Sequence, residues 1–157
     1  MPQIAKGGKF VFGWSIINTE GCVKIPEMTF KEYNLSTDNN AILISGSKKS
    51  GGFCVSNYSL MKKSIMNGLF TEHPEIKDFA FTEGVCIKYK GRLYCWVKIG
   101  SKGIIKLPEH TMKSFNLKPN DKLLSIRGSD IAFVLAAKGP LIEAAINYEG
   151  VIDEYKC

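Results

Sequence analysis

Thiols and imidazoles are the side chains of this chain that could bind a metal ion or act as nucleophiles. The sequence has two histidines, His73 and His110, and five cysteines. A structural zinc site needs clustered ligands, but here no two cysteines have C-x-x-C spacing and neither histidine lies near a cysteine. We therefore expect reduced thiols that serve as small apolar residues, without a metal site. The cysteines are Cys22, Cys54, Cys86, Cys95 and Cys157.

Acidic residues are the next candidates, because paired carboxylates can transfer protons. The sequence has no Ser-His-Asp pattern, no H-E-x-x-H motif, no phosphate-binding loop and no dinucleotide fingerprint. Glu27 and Glu109 each follow a proline at a predicted helix start, where the helix dipole favours a carboxylate. We therefore predict that the protein is not an enzyme and that it uses no cofactor.

Basic side chains remain, and the chemistry that they offer is contact with phosphate. The net charge of +6 at pH 7 favours an anionic partner such as DNA. Arg92 and Arg127 are the only arginines, and lysine suits phosphate better than it suits the edge of a guanine base. Contacts with DNA should therefore be mainly electrostatic. The candidate DNA-binding residues are Lys24, Lys98, Lys102, Lys106 and Arg92.

Four lysines occupy matched positions, 82 residues apart: Lys24 with Lys106, and Lys31 with Lys113. Around a pseudo-twofold axis they could form a symmetric basic surface. The alternative is that these lysines keep the exposed edges of the fold soluble and prevent aggregation. This alternative is favoured for Lys31 and Lys113, because both lie on predicted helices. The second half of the chain has 12 basic and 8 acidic residues against 9 and 7 in the first, so it is favoured as the contact face.

The matched lysines belong to an internal repeat. Residues 13–47 align without a gap with residues 95–129, and agreement over such a window indicates a duplication. Trp14 and Trp96 match; they could stack on bases, but packing in a core or an interface is favoured. Other identities include Gly21 with Gly103, Pro26-Glu27 with Pro108-Glu109, Thr29 with Thr111, Asn34-Leu35 with Asn116-Leu117 and Gly46-Ser47 with Gly128-Ser129.

Each copy predicts the same order of elements: strand, turn ending in glycine, strand, helix after a proline, and two more strands. Met28 with Tyr33, and Met112 with Phe115, are predicted to form the buried faces of the helices. In the first copy the elements are predicted at 10–17, 22–25, 27–33, 41–44 and 53–55. In the second they are predicted at 93–99, 104–107, 109–115, 123–126 and 131–135, and helical tails at 60–69 and 141–148.

One copy alone would make a poor core, because it offers four short strands and one small helix. The two copies, 1–82 and 83–157 with their tails, should therefore bury their apolar faces together in one barrel, mainly β with short helices. The longest apolar stretches, such as 131–137, are too short to span a bilayer. Residues 1–9 show no apolar core of a signal peptide, so we expect a cytoplasmic protein without a membrane partner. The sequence leaves open whether the protein forms a homo-oligomer.

The sequence of the second copy resembles the AbrB/SpoVT family. The similar motifs are Lys-Gly-Ile-Ile-Lys-Leu-Pro at 102–108, and Leu-Lys-Pro-Asn-Asp-Lys-Leu-Leu at 117–124 after the helix. The first copy resembles the family more loosely, through Glu-Gly-Cys-Val-Lys-Ile-Pro at 20–26. The resemblance implies a swapped-hairpin β-barrel, usually built from two chains, that binds DNA and regulates transcription. Here it implies an intrachain pseudo-dimer formed by the two repeats.

The positions after the two turn glycines depart from that family. An arginine commonly stands there and approaches DNA, whereas this chain has Cys22 and Ile104. Two functions therefore stay open. One is a DNA-binding transcriptional regulator of AbrB/SpoVT type whose lysines contact phosphates, and the other is a protein- or ligand-binding barrel that has lost DNA recognition.

Overall fold

The computed structural model of the chain describes residue 3 and residues 10–157, so the prediction about a signal peptide falls largely outside the described residues. The strands are β1 Val11–Ile16, β2 Cys22–Lys24, β3 Asn40–Ser45, β4 Phe53–Ser56, β5 Ile87–Tyr89, β6 Arg92–Lys98, β7 Ile104–Lys106, β8 Lys122–Ile126, β9 Phe133–Ala136 and β10 Glu154–Tyr155. The helices are α1 Glu27–Glu32, α2 Tyr58–Met61, α3 Gly68–Glu72, α4 Pro74–Asp78, α5 Glu109–Ser114 and α6 Pro140–Ile146, with 3-10 turns at Leu35–Thr37 and Ile65–Asn67. The fold is α+β, mostly sheet with several short helices, as the sequence predicts.

The two copies have equivalent backbones around the helix that follows β2 or β7. Pro26 and Pro108 precede α1 and α5 with φ of −52° and −56°. Asn34 and Asn116 follow the helices in the left-handed conformation, with φ of 50° and 57°. Asparagine tolerates this conformation because its short polar side chain can hydrogen-bond locally, and the matched angles show that local sequence sets both helix ends.

Strand pairing exchanges elements between the copies. The main sheet has the order β10-β1-β8-β9-β4-β3-β6-β5. In it β1 of the first copy pairs with β8 of the second, as in Trp14 with Leu124. Equivalently, β6 of the second copy pairs with β3 of the first, as in Trp96 with Ile42. The first strand of each copy therefore completes the sheet of the other copy.

A pseudo-twofold axis passes through two ladders that join equivalent strands. In the separate ladder of β2 and β7, Val23 pairs with Ile105, the residue 82 positions further on. In the ladder of β4 and β9, Cys54 pairs with Val134, the residue 80 positions further on. The shift from 82 to 80 arises because the loop before β9 is shorter than the loop before β4. Each of these residues faces its own counterpart, which defines the axis.

The predicted barrel is wrong in one respect, because hydrogen bonds within residues 10–157 do not close the sheet. The sheet ends at β10 and β5, and β2 and β7 pair in a ladder of their own. The outer edge of β1 is occupied by β10, and that of β6 by β5. Neither of these strands is part of the duplicated window. They occupy the edges that a closed barrel would need. Between the end of β6 and β7 there is one isolated bridge, which pairs Ile99 with Ile105.

Both copies contribute to one central core. Tyr33 at the end of α1 packs on Phe133 of β9, with ring centroids 5.2 Å apart. Phe115 at the end of α5 packs equivalently on Phe53 of β4, at 5.4 Å. Each aromatic pair joins one copy to the other within the same buried cluster. Trp14 and Trp96 are buried, as the packing interpretation predicts.

Two predictions about helices are wrong. Met28 is 47% exposed, because the buried face of α1 carries Thr29 and Tyr33, which lie four residues apart. The predicted helix at 60–69 is broken, because Ser64 stops it: its hydroxyl accepts a hydrogen bond from the Met66 amide at 3.0 Å and starts a new turn. The resulting short helices pack over Ile42 and Ile44 of β3.

Candidate nucleic-acid interface

The ladder of β2 and β7 presents one buried and one outward face. Val23 and Ile105 are fully buried in the central core. Side chains alternate along a strand, so Lys24 and Lys106 lie on the opposite face, where Lys24 is half-buried and Lys106 is exposed. The alternation of apolar and basic residues therefore places both lysines on one surface around the axis. This surface, made by β2, β7 and the turns 18–21 and 100–103, is called the axial face below.

The two turns of the axial face are held by equivalent hydrogen bonds across the copies. The Leu107 amide donates to the Gly21 carbonyl, and the Ile25 amide donates to the Gly103 carbonyl, both at 2.8 Å. Each turn is also closed internally, since the Gly21 amide donates to the Asn18 carbonyl at 3.0 Å and the Gly103 amide to the Gly100 carbonyl at 2.9 Å. The turn of one copy is thus fixed to the strand end of the other, which gives the axial face a rigid backbone.

Lys102 and Lys98 lie beside the lysines of the ladder. The Lys24 ammonium donates a hydrogen bond to the Lys102 carbonyl at 3.1 Å, so a side chain of the first copy contacts the turn of the second. Lys98 is exposed at the end of β6, just before that turn. Its backbone amide donates to the Glu83 carboxylate at 2.8 Å. The structure therefore brings four of the predicted residues together: Lys24, Lys98, Lys102 and Lys106.

Arg92 does not belong to this group. It begins β6, and Lys98 ends it, so about 20 Å of extended strand separates the two residues at about 3.3 Å per residue. Its guanidinium donates to the Ser45 carbonyl at 3.2 Å. The prediction for Arg92 placed it with the lysines because it is close in sequence, but an extended strand carries its two ends to opposite sides of the molecule.

The lysines of the two helices form ion pairs within their own helices. Lys31 lies 3.1 Å from Glu27, and Lys113 lies 3.3 Å from Glu109. Both are exposed i,i+4 pairs, which contribute about 0.3–0.5 kcal/mol each. This arrangement agrees with the interpretation that these lysines keep the surface soluble.

The axial face is not symmetric in charge. Glu20 stands in the first turn where Lys102 stands in the second, and Ile16 matches Lys98. Cys22 and Ile104 share the outward face of the ladder with the lysines. Arg127, the other arginine of the chain, is held by the Glu32 carboxylate at 2.8 Å. The axial face therefore offers ammonium groups, concentrated on the side of the second turn.

A cavity of about 590 Å³ adjoins the lysines of the axial face. Lys24, Lys31 and Lys102 line it, together with Phe30 and Tyr155. Burial raises the pKa of the Tyr155 hydroxyl, with further contributions from Asp153 and Glu27. Sequence reasoning missed Phe30 and Tyr155. Tyr155 reaches the site because β10 runs parallel to β1, and a two-residue strand carries no periodicity that could reveal it.

Grouped metal ligands and membrane-spanning helices are two features that the described residues lack. In residue 3 and residues 10–157, no three His, Cys, Asp or Glu side chains are grouped so that they could hold a metal ion. All five cysteines are thiols. Within the same residues, none of the helices has both the length and the apolar character that spanning a lipid bilayer demands.

A scan against models of known protein families finds no match to this chain. A search of the curated proteins likewise finds no significant match. The resemblance to the AbrB/SpoVT family therefore depends on the motifs at 20–26, 102–108 and 117–124.

Proposed function

We propose that the protein is a DNA-binding transcriptional regulator of AbrB/SpoVT type, in which two swapped-hairpin repeats form a pseudo-dimer within one chain. The exchange of β1 and β6 between the copies supports the swapped arrangement. The observation that carries the function is the position of Lys24 and Lys106 about the pseudo-twofold axis, with Lys98 and Lys102 beside them. Duplex DNA has local twofold symmetry, so an axial face of this kind matches the two strands of the duplex.

The chemistry of the axial face favours phosphate over bases. Its ammonium groups are point charges, whereas bidentate reading of guanine requires a guanidinium. The four lysines are accompanied by two acidic residues, Glu20 and Glu83, so the axial face has a net positive charge. Binding should therefore be mainly electrostatic, with log affinity falling by about 0.9 per neutralised phosphate for each unit of log salt concentration.

The test is fluorescence anisotropy with random duplex DNA at several salt concentrations. The variant Lys24→Ala/Lys102→Ala/Lys106→Ala should bind more weakly to every sequence. Its salt slope should be flatter by about 0.9 for each phosphate that the missing ammonium groups no longer neutralise. Discrimination among sequences should change little, because lysines that bind phosphate position a protein without reading bases.

The matched control removes the same charge from residues outside the axial face. Lys63, Lys88 and Lys90 are exposed and lie away from the axial face, so their replacement by alanine should leave the salt slope unchanged. Equal losses of affinity in the two triple variants would show that net charge, not the axial face, drives binding. Undetectable binding of the unmodified protein at low salt would contradict DNA binding altogether.

The second candidate function is the binding of an anionic ligand or a protein segment. The cavity of about 590 Å³ favours it, because three lysines and two aromatic rings line the same space, against the single carboxylate of Glu27. The residues after both turn glycines, Cys22 and Ile104, favour it as well. If the protein fails to bind duplex DNA at low salt, this cavity becomes the binding site to test.

A further inference from the structure

Cys86 and Cys95 lie close together at the open end of a tight hairpin. β5 and β6 are joined by the two-residue turn Lys90-Gly91, and both turn residues are left-handed, with φ of 47° and 81°. The register pairs Tyr89 with Arg92 and Ile87 with Tyr94. The regular pairing ends at Ile87 with Tyr94, so Cys86 directly precedes β5 while Cys95 is the next residue of β6.

The placement of this pair suits a disulfide. The Gly84 amide donates to the Trp96 carbonyl at 2.9 Å, one residue out of the hairpin register, so the chain before β5 is irregular but stays beside β6. The two thiols contact each other, and neighbouring residues on adjacent strands have Cα atoms within the range that disulfides occupy. Their side chains lie on the same face, since Cys95 is fully buried in the central core and Cys86 packs against that core.

The two thiols contact each other and differ in reactivity. Cys86 is half-buried, whereas Cys95 is fully buried. A hydrogen bond from the Cys95 thiol, helped by the Ser114 hydroxyl, lowers the pKa of Cys86 to about 7 despite burial. The same hydrogen bond, with burial and the nearby Glu83 carboxylate, raises the pKa of Cys95. The Cys86 sulfur also lies 3.9 Å from the Gly84 carbonyl, a long contact even for a thiol donor. Cys86, the more accessible of the two, is therefore the thiol that loses its proton more readily.

We propose that Cys86 and Cys95 form a site of reversible thiol oxidation whose substrate class is the hydroperoxide. The Cys86 thiolate attacks the terminal peroxide oxygen and breaks the O–O bond. Cys86 becomes a sulfenic acid, and the other oxygen leaves as alkoxide or hydroxide and takes up a proton. The Cys95 sulfur then attacks the Cys86 sulfur, an S–S bond forms, and the Cys95 proton leaves with the hydroxyl group as water. Two thiols lose two electrons, which the peroxide gains, and a dithiol reductant reverses the change.

This site does not depend on the proposed function, so its test uses no DNA. In the full chain with Cys22, Cys54 and Cys157 replaced by alanine, hydrogen peroxide should remove about 2 Da, the mass of two hydrogen atoms, from the protein. Both remaining cysteines should then resist alkylation after denaturation, and dithiothreitol should restore it. The closed loop of about ten residues should raise the melting temperature by about 5–10 °C. The oxidation rate should rise with pH through about pH 7, where the Cys86 thiolate forms.

The chain offers a matched control in its second thiol pair. The Cys157 thiol also contacts Cys22, but burial and that contact raise the pKa of Cys157. In a variant that retains only Cys22 and Cys157, Cys157 should react with peroxide at least about fivefold more slowly at pH 7 than Cys86 does, since its smaller thiolate fraction outweighs its greater nucleophilicity. Adding Cys95→Ala to the first variant should leave a sulfenic acid at Cys86 that dimedone traps. The proposal is overturned if Cys86 and Cys95 stay alkylatable after peroxide, or if Cys86 is oxidised to sulfinic acid while Cys95 remains a thiol.

Discussion

Alanine substitutions at the two equivalent turn glycines should destabilise the protein by different amounts. Gly21 and Gly103 both adopt the left-handed conformation, with φ of 83° and 73°. For a residue with a Cβ atom that conformation costs about 1–2 kcal/mol of folding free energy, and this part of the effect is common to both positions. A difference between them must therefore come from what the new methyl group meets.

The surroundings of the two glycines differ although their positions in the repeat match. A Cβ atom at Gly21 would lie 2.4 Å from the Leu107 carbonyl oxygen, which is backbone and cannot swing away. At Gly103 the nearest atom belongs to the Phe30 ring, at 3.3 Å, and a ring edge can shift by a few tenths of an ångström. Relief of the clash at Gly21 also strains its hydrogen bond with the Leu107 amide, which contributes about 1 kcal/mol. We expect losses of about 1.5 kcal/mol for Gly103→Ala and about 3 kcal/mol for Gly21→Ala.

Urea unfolding followed by circular dichroism measures these losses, provided that the m value is unchanged. Gly91→Ala supplies the control, because Gly91 has a φ of 81° and no atom of the described residues lies within 4 Å of its added Cβ. It should report the conformational cost alone, about 1–2 kcal/mol. In melting temperature the loss at Gly21 corresponds to about 6–12 °C. Equal losses for the three variants, or a larger loss at Gly103, would refute the steric argument.

Two further predictions concern the pseudo-dimer. The fragments 10–82 and 83–157, expressed separately, should each give the circular dichroism spectrum of a poorly folded chain. They should regain a folded spectrum when mixed, because β1 pairs with β8, and β6 with β3, across the two copies. A fragment that folds by itself would contradict the shared core. Glu20→Lys should strengthen binding to random duplex DNA and steepen its salt slope by about 0.9 if the new lysine meets a phosphate. Glu72→Lys is the control, with the same change of charge at the exposed last residue of α3. An equal gain in affinity there would show that the axial face is not the DNA site.

The sequence predicts the duplicated elements well because local chemistry determines them. The turn glycines, the prolines before α1 and α5, and Asn34 with Asn116 each fix the backbone within a few residues. Alternation in β2 and β7 predicts that Lys24 and Lys106 lie outward. These signals need no knowledge of distant contacts, so two copies of the same signals produce equivalent structures.

The remaining features depend on tertiary contacts that the sequence does not display. β10 is two residues long and exists because β1 offers it an open edge. Met28 is exposed because Thr29 of α1 packs against Ser125, with hydroxyl oxygens 3.4 Å apart, which fixes the rotation of the helix. Arg92 is distant from the lysines because β6 is straight and extended. In each case the deciding partner lies far along the chain, outside the window in which a pattern can be recognised.

Fusion of the two copies explains how the axial face can be symmetric in backbone and asymmetric in charge. In a dimer of identical chains each substitution alters both halves, whereas in a single chain one half can change alone. Lys24 and Lys106 keep the symmetry, while Glu20 opposite Lys102 breaks it. The edge strands are asymmetric too, since β10 runs parallel to β1 and β5 runs antiparallel to β6. A duplex bound at the axial face would meet a more positive half at the second turn, so its two half-sites would contribute unequally and its preferred sequence would not need to be palindromic.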